Sequence, residues 1–459
     1  MNPNFFLLGR VPIVRSQVRR RDRWHRQRLL RFQQAQLRRL LNHARTHSPY
    51  YGEVLAGKEG SPLSELPVLT KQDLMRHWDR ICTSPDLRLA DVERRLHDLE
   101  TTGDDPARAW RGLWLAATGG TTGARATFAW NRREWTSVLA SYARVNDWAD
   151  VHVGPGAPLR TVIVSSRDPS HQSAVIGASL RSAIVPTLRL DAHRPVKEMV
   201  DEINAFQPRL LVAYASLLGP LANAQLEGTL QISPEKVVAA SEVLPAPARA
   251  AAVSAWGSRA LVDTYAATET AGIASTCQHG GWHLYEDFVI IEPVNSDYQP
   301  VPAGSPSERL LVTVLFSRTL PLIRYELTDS VRLSTKNCSC DLPFALLESV
   351  DGRSQDTLTL PGHDGEVRVH PVVFASALQN SAPNGWQIEQ HSDHLLVRLV
   401  SPVEDPHEAK AEIEKALRDL GVETIPVEVV AVGELRRTRL GKAPLVTALV
   451  ADGPPHHPS

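Results

Sequence analysis

The sequence predicts an α/β fold, with a large N-terminal domain of doubly wound sheets followed by a small α+β C-terminal domain. Three observations predict it. Short unbroken apolar runs ("RTVIVSS", "PRLLVAYAS", "EKVVAAS", "SRALVDTYAA") alternate with helical patterns over 191–206 and 245–256. Such Val/Ile/Leu runs mark parallel strands buried on both faces, and ligands of these sheets sit beyond the strand C-termini. Beyond about Pro300 the pattern changes to shorter strands with turn residues between them, "SERLLVTVLF", "VRLST" and "TLTLPGHDGEVRVHP". Finally, 459 residues with 42% hydrophobic and 22% charged content can bury a sizeable core of more than one domain. The expected division is 1–352 and 353–459, at Asp351-Gly352-Arg353.

Taken in order, the first fifty residues are arginine-rich and nearly free of acid, a composition shared with transit peptides. The pattern runs on without a break into Leu29, Leu30, Phe32, Leu37, Leu40 and Leu41 at helical spacing, which predicts a basic amphipathic helix ending near Ser48-Pro49. A proline-punctuated link follows, in which Thr70 is the expected N-cap of a helix from Lys71. The C-terminal segment reads as strand "HLLVRLV", amphipathic helix "PHEAKAEIEKALRDLG" closed by glycine, and strand "VEVVAV". No secretory signal and no apolar run long enough to span a bilayer is visible, so the expected compartment is the cytoplasm. The net charge of −1 offers no global attraction for nucleic acid or an anionic membrane.

Chemistry is carried by an ordered set of motifs. "LWLAATGGTTGARATFAW" places Thr118, Gly119, Gly120, Thr121, Thr122 and Gly123 after a strand-like run. Such a run of N–H groups and hydroxyls suits an anion, but Ala124-Arg125 stands where a Walker loop needs Lys-Ser/Thr. "TYAATETAG" then sets Thr268 and Glu269 at the end of a strand. "PLIRYELTDSV" carries Asp329, "DGRSQD" carries Arg353, and "RRTRLGKAPLV" carries Lys442. No G-x-S-x-G elbow supports a hydrolase, and a non-catalytic nucleotide-binding protein predicts damage to this set, which is complete.

In this order and spacing the motifs resemble those of the adenylate-forming (ANL) superfamily, and within it the phenylacetate-CoA ligase group. The flanks "LLNHARTHSPYYGEVL", "LPVLTKQDL", "AASEVL" and "GWHLYEDFVIIEP" carry the same resemblance. It implies activation of a carboxylic acid by ATP to an acyl-adenylate, then transfer to a thiol, CoA by default. A carrier-protein thiol or an amine is the alternative acceptor. By the same resemblance, residues 118–123 cradle the phosphates and Thr268 bonds the α-phosphate. Glu269 holds Mg²⁺, Tyr265 lies against adenine near Ser241 and Glu242, Asp329 accepts the ribose hydroxyls and Arg353 assists. Lys442 bridges substrate carboxylate and phosphate. The acid pocket is implied at Tyr214, Ser216, Ala271, Gly272, Ile273 and the "HQSAVIGAS" segment, whose small apolar residues suit an aryl or short apolar acid.

Four cysteines are too few for a disulfide framework. Cys277, His283, Cys338 and Cys340 supply three sulfurs and one imidazole, a Zn²⁺ complement, with His279 an alternative nitrogen ligand. The spacing fits no standard finger, and reduced core cysteines with surface histidines are the other reading. Some relatives in the resembled group carry a similar arrangement, which implies a structural zinc. Three departures from the resembled pattern stand out: Ala124-Arg125 in place of a loop lysine and proline, Gln355 at the usual hinge position, and "LTLPGHDGEVRVHPVVF" in place of a glycine-containing stretch near the thiolation surface.

Overall fold

The computed structural model describes residues 5–119, 125–154, 156–353, 356–363, 365–369, 371–378, 381–382, 385–401, 403, 405–438 and 441–448. The basic segment forms two helices, Phe5–Arg21 and Arg26–His47. Leu29, Leu37, Leu40 and Ala44 recur along the second and are buried, so it lies on the domain by one stripe as its periodicity requires. Ser48 stops it and caps the next helix by accepting the Tyr51 N–H at 3.2 Å. Thr70 caps Lys71–Arg76, its Oγ1 accepting the Asp73 N–H at 3.1 Å.

The strands follow in chain order. A hairpin comes first, β1 (Leu113–Ala117) with β2 (Thr127–Asn131). Then come β3 (Thr161–Ser165), β4 (Thr187–Asp191), β5 (Leu210–Tyr214), β6 (Lys236–Ala240), β7 (Leu261–Ala267), β8 (Ala271–Thr276) and β9 (Trp282–Leu284). Next are β10 (Val289–Val294), β11 (Arg309–Val314), β12 (Tyr325–Leu327), β13 (Asp329–Leu333) and β14 (Leu346–Arg353). The last are β15 (Leu358–Gly362), β16 (Gly365–Val369), β17 (Trp386–Gln390), β18 (Leu395–Val400), β19 (Val427–Val432) and β20 (Val446–Thr447).

Nine strands make the principal sheet, in the order β13-β14-β9-β8-β7-β6-β5-β3-β4. The predicted parallel strands are its β3, β5, β6 and β7, with β4 at the edge. From β7 onward the pairing is antiparallel, so the sheet is mixed. Thr268 and Glu269 sit in the turn where it switches. The expected boundary at Asp351-Gly352-Arg353 is the end of β14, hydrogen-bonded to β13. Beyond it, β19-β18-β17-β20 form a small sheet with a separate core that includes Leu360, Phe374, Trp386, Val397, Ile413 and Val427. The helix Pro406–Asp419 buries Ala409, Ile413 and Leu417 against it.

Candidate functional site

The C-terminal ends of the parallel strands open into a cavity of about 1590 Å³. It is lined by Thr118, Tyr265, Thr268, Glu269, Asp329, Arg353 and Lys442, among others. On the nucleotide side, the Tyr265 hydroxyl at the end of β7 donates to Asp329 Oδ2 at 2.7 Å. The other oxygen of Asp329 faces Arg353 Nε at 3.5 Å. Tyr265 thus orients the carboxylate expected to take the ribose. Burial, with Asp329 beside it, pushes the Tyr265 phenol far above its ordinary range, so this group stays a donor. Glu269 is buried and its carboxyl is raised by desolvation, with Asp329 adding and Arg353 and Lys71 opposing. No ion pair among the described residues neutralises it, so its charge depends on the polar groups around it. The Thr268 carbonyl accepts from Gln172 Nε2 at 2.8 Å, which fixes the turn.

The Thr/Gly loop is pinched at its base. Thr118 N donates to the Ala126 carbonyl at 2.8 Å, and Ala126 N donates to Thr118 Oγ1 at 3.0 Å. Gly119 lines the cavity, whereas Gly120, Thr121, Thr122, Gly123 and Ala124 lie outside the described residues, as does Gln355. Arg125 turns away from the loop, pairing with Glu100 at 2.6 Å and donating to Ser170 Oγ.

Lys442 comes from a loop of the small domain that docks on the strand-end loops. Ala443 N donates to Glu242 Oε1 at 2.6 Å and Ser216 N to Glu242 Oε2 at 3.1 Å, so one carboxylate joins the two domains. Arg437 Nη1 donates to Ser216 Oγ at 3.1 Å and to the Gly441 carbonyl at 2.9 Å. His193 lies 2.8 Å from Asp191 Oδ1 through Nδ1 and 3.1 Å from the Thr438 carbonyl through Nε2. Gly441 holds φ +75°, and a Cβ there would come within 2.7 Å of Ala192 Cβ, so the close approach requires glycine. The Lys442 ammonium stands 5.9 Å from the Tyr214 ring centroid, within cation–π range. Burial and then Arg353 lower its pKa to about 8, against Glu242, Asp329 and Glu269. Ser241, beside Glu242, is held at φ +68°, a strained conformation for a non-glycine residue.

The acid side differs from the sequence expectation. Tyr214 and Ser216 line the cavity, and the Tyr214 hydroxyl accepts from Ser166 N at 3.0 Å. Ala271, Gly272 and Ile273 do not line it. They are buried in β8 behind the wall, where a Cβ on Gly272 would fall 2.7 Å from the Tyr285 ring. Strand position alone did not reveal that this stretch of β8 is covered by packing on both faces. The wall comes instead from Leu139, Tyr142, Gln172, Ile176 and Val212, of which the segment around Gln172 and Ile176 was expected. The Tyr142 hydroxyl donates to Gln172 Oε1 at 3.0 Å, continuing the chain to Thr268. His171 also lines this side, with its pKa lowered to about 3 by burial and then by Lys442, so it is neutral. Sequence reasoning did not single out Tyr142, Arg437 or Lys71 as site residues, although the Thr70 cap placed the last at a fixed helix start.

Apart from this chemistry, Cys277, His283, Cys338 and Cys340 place their ligand atoms within 4.8 Å of one another. The Cys277 and Cys338 sulfurs are 3.7 Å apart and Cys340 Sγ is 3.0 Å from His283 Nε2. Two thiolates on one tetrahedral zinc, each with Zn–S near 2.3 Å, stand about 3.8 Å apart. His283 Nδ1 is 3.0 Å from the Phe344 carbonyl, which fixes the tautomer and leaves Nε2 free to ligate. Gly281 admits Cys338, whose Sγ would lie 2.6 Å from a Cβ at that position. The donor set and spacing fit zinc.

A large mixed α/β domain with a small α+β domain at its strand ends is a fold shared with solved acid–CoA ligases. The structure of 2-hydroxyisobutyryl-CoA ligase in its postadenylation state superposes with a TM-score of 0.68 at 18% identity, over 94% of this chain and 91% of that one. The same enzyme in its thioesterification state gives 0.56. In sequence, the chain is similar to a phenylacetate-coenzyme A ligase of Thermus thermophilus, 29% identical over 163 residues, or 35% of this chain and 34% of that ligase. It is also similar to protein CapK of Staphylococcus aureus, 21% identical over 393 residues, 81% of this chain and 78% of that protein. No family model matches the sequence.

Proposed function

We propose that this protein activates a carboxylic acid with ATP to an acyl-adenylate and passes the acyl group to a thiol, CoA by default. The observation that carries the reading is the convergence of Lys442 with Glu269, Asp329 and Arg353, from two domains, on one cavity. In the first half-reaction a carboxylate oxygen attacks the α-phosphorus. The new O–P bond forms as the bond to the β-phosphate oxygen breaks, and pyrophosphate leaves with the electron pair. Negative charge gathers at the α-phosphate, so fixed cations and dipoles lower the barrier. Lys442 bridges the acid and the α-phosphate, Thr268 bonds that phosphate, and Asp329, oriented by Tyr265 and Arg353, takes the ribose. Glu269 would hold Mg²⁺, which supplies charge neutralisation on the phosphates. In the second half-reaction the thiol sulfur attacks the acyl carbon, AMP leaves, and the thiol proton passes to solvent.

The acid is aryl or small and apolar, in keeping with Leu139, Ile176 and Val212 along the wall and the neutral His171. The test is acid-dependent pyrophosphate release over a panel of aryl and short-chain acids, with and without CoA. Multiple turnovers only with CoA support the full reading. A single burst indifferent to CoA moves the acceptor to a carrier-protein thiol or an amine, and no release with any acid overturns the reading.

The four-ligand cluster is proposed to hold one structural Zn²⁺ per chain. Such sites contribute about 10 kcal/mol of apparent binding energy, so chelation is expected to lower the melting temperature sharply. Metal analysis of fresh protein showing no zinc would overturn it.

A further inference from the structure

The phosphate end of the cavity raises a question of charge. Leaving pyrophosphate is highly anionic, and the cation at the end of the loop expected to cradle it is Arg125. That guanidinium is committed to Glu100 at 2.6 Å and to Ser170. Another cation lines the same cavity as Thr118, Gly119 and Glu269, and it comes from a different part of the chain: Lys71.

Lys71 stands on a fixed base. Leu69 pairs with β12 as a short added strand, its N–H donating to the Arg324 carbonyl and its carbonyl accepting from Glu326 N, both at 3.0 Å. Arg324 Nη1 donates to the Leu66 carbonyl, and Leu66, Leu69 and Leu74 are buried in the main core. Thr70 caps the turn that begins with Lys71. The backbone is therefore held on both sides, while the half-buried side chain faces Glu269 and Arg353. Burial depresses the Lys71 pKa and Glu269 supports its charge. Among the described residues its ammonium has no hydrogen bond and no ion pair. A half-buried cation that makes no direct ion pair is available to an anion entering the cavity.

We infer that Lys71 is a catalytic residue of the adenylation step, its ammonium binding the β- and γ-phosphate oxygens of ATP and of leaving pyrophosphate in place of the committed Arg125. This rests on the ATP-dependent reading above. In the step already written, Lys71 forms no covalent bond and gains or loses no proton. It neutralises charge on the leaving group as the bond to the α-phosphorus breaks. A point-charge lysine suits this task, because it follows oxygens that move apart, whereas a planar guanidinium demands a set geometry.

The test compares wild type, Lys71→Ala and Lys71→Arg by calorimetric titration with pyrophosphate, ATP and AMP, and by acid-dependent pyrophosphate–ATP exchange. Lys71→Ala is expected to weaken pyrophosphate and ATP by about tenfold to a hundredfold, the range of one charge-assisted bond. AMP affinity, which involves no β- or γ-phosphate, is expected to stay within twofold. Exchange should fall by about a hundredfold, and Lys71→Arg should recover part of the pyrophosphate affinity. Equal pyrophosphate affinity in wild type and Lys71→Ala overturns the assignment, and so does an equal loss of ATP and AMP, which marks a structural role. Wild-type protein without exchange on any acid overturns the adenylation reading alone, since the pyrophosphate titration is read without turnover.

Discussion

Lys71 and Lys442 line the same cavity, and the molecule holds them in opposite ways. Lys71 stands on backbone: a two-bond ladder to β12, a threonine cap and three leucines in the main core. Lys442 stands on a loop whose attachments cross between domains through a few polar groups, Glu242, Ser216, Arg437 and His193. The small domain keeps its own apolar core, so undocking this loop exposes little core surface. The difference teaches which charge is permanent and which is supplied on docking. On the proposed reaction, a leaving-group cation would serve only the first half-reaction and could stay in place, whereas a lysine bridging acid and phosphate would have to withdraw for a thiol to reach the acyl carbon.

Four measurements sharpen or break that comparison. The largest expected effect is on Lys442→Ala. One ammonium at about 4 Å is worth ~4 kcal/mol at an effective dielectric near 20, so adenylation should slow about a thousandfold with melting unchanged. Near-normal acid-dependent pyrophosphate release would remove Lys442 from the chemistry. Next is Glu242→Ala, which frees both the Ala443 and the Ser216 N–H. Bonds to a charged group are worth about 1.5–3 kcal/mol, so docking and adenylation should weaken by about tenfold to a hundredfold. An unchanged rate would show that the loop docks without this clasp.

The pH profile gives a smaller, graded effect. Lys442 must carry its proton to bridge two anions, and its pKa is lowered from 10.5 to about 8. The charged form therefore dominates below that value and is lost above it, so kcat/KM for adenylation should fall about tenfold per pH unit on the alkaline side. The limb should vanish in Lys442→Ala; its survival there would assign it elsewhere. The smallest effect is expected for His193→Ala, which removes one bond to the Thr438 carbonyl. At about 1 kcal/mol this is about fivefold in adenylation. A larger loss, shared by AMP binding, would mean that His193 supports the site rather than the dock.

Much of this was legible before folding. The Thr70 cap, the helix ending at Ser48 and the four parallel strands follow from short-range pattern, and each stands where expected. The cysteine and histidine ligands were readable as a set because zinc chemistry restricts donor types, although their meeting needed the β8–β9 turn to meet the loop before β14. Other features were hidden. Ala271, Gly272 and Ile273 cover both faces of β8 and none lines the cavity, because packing such as Tyr285 against Gly272 buries this stretch, which local pattern does not record. Arg125 read as a possible replacement for a lysine; only its partner Glu100, on a neighbouring helix, shows it committed elsewhere.

By itself, then, the sequence determined the kinds of segment, their caps, the ordered motifs and the chemical types available to a site. Tertiary structure decided the antiparallel half of the sheet, the wall of the cavity, and the meeting of Lys71, Glu269, Arg353 and Lys442. The physical reason is range. Periodicity, capping and turn chemistry act over a few residues and are written locally. Desolvation and Coulomb interactions depend on which distant segments share a cavity, and only packing brings those segments together.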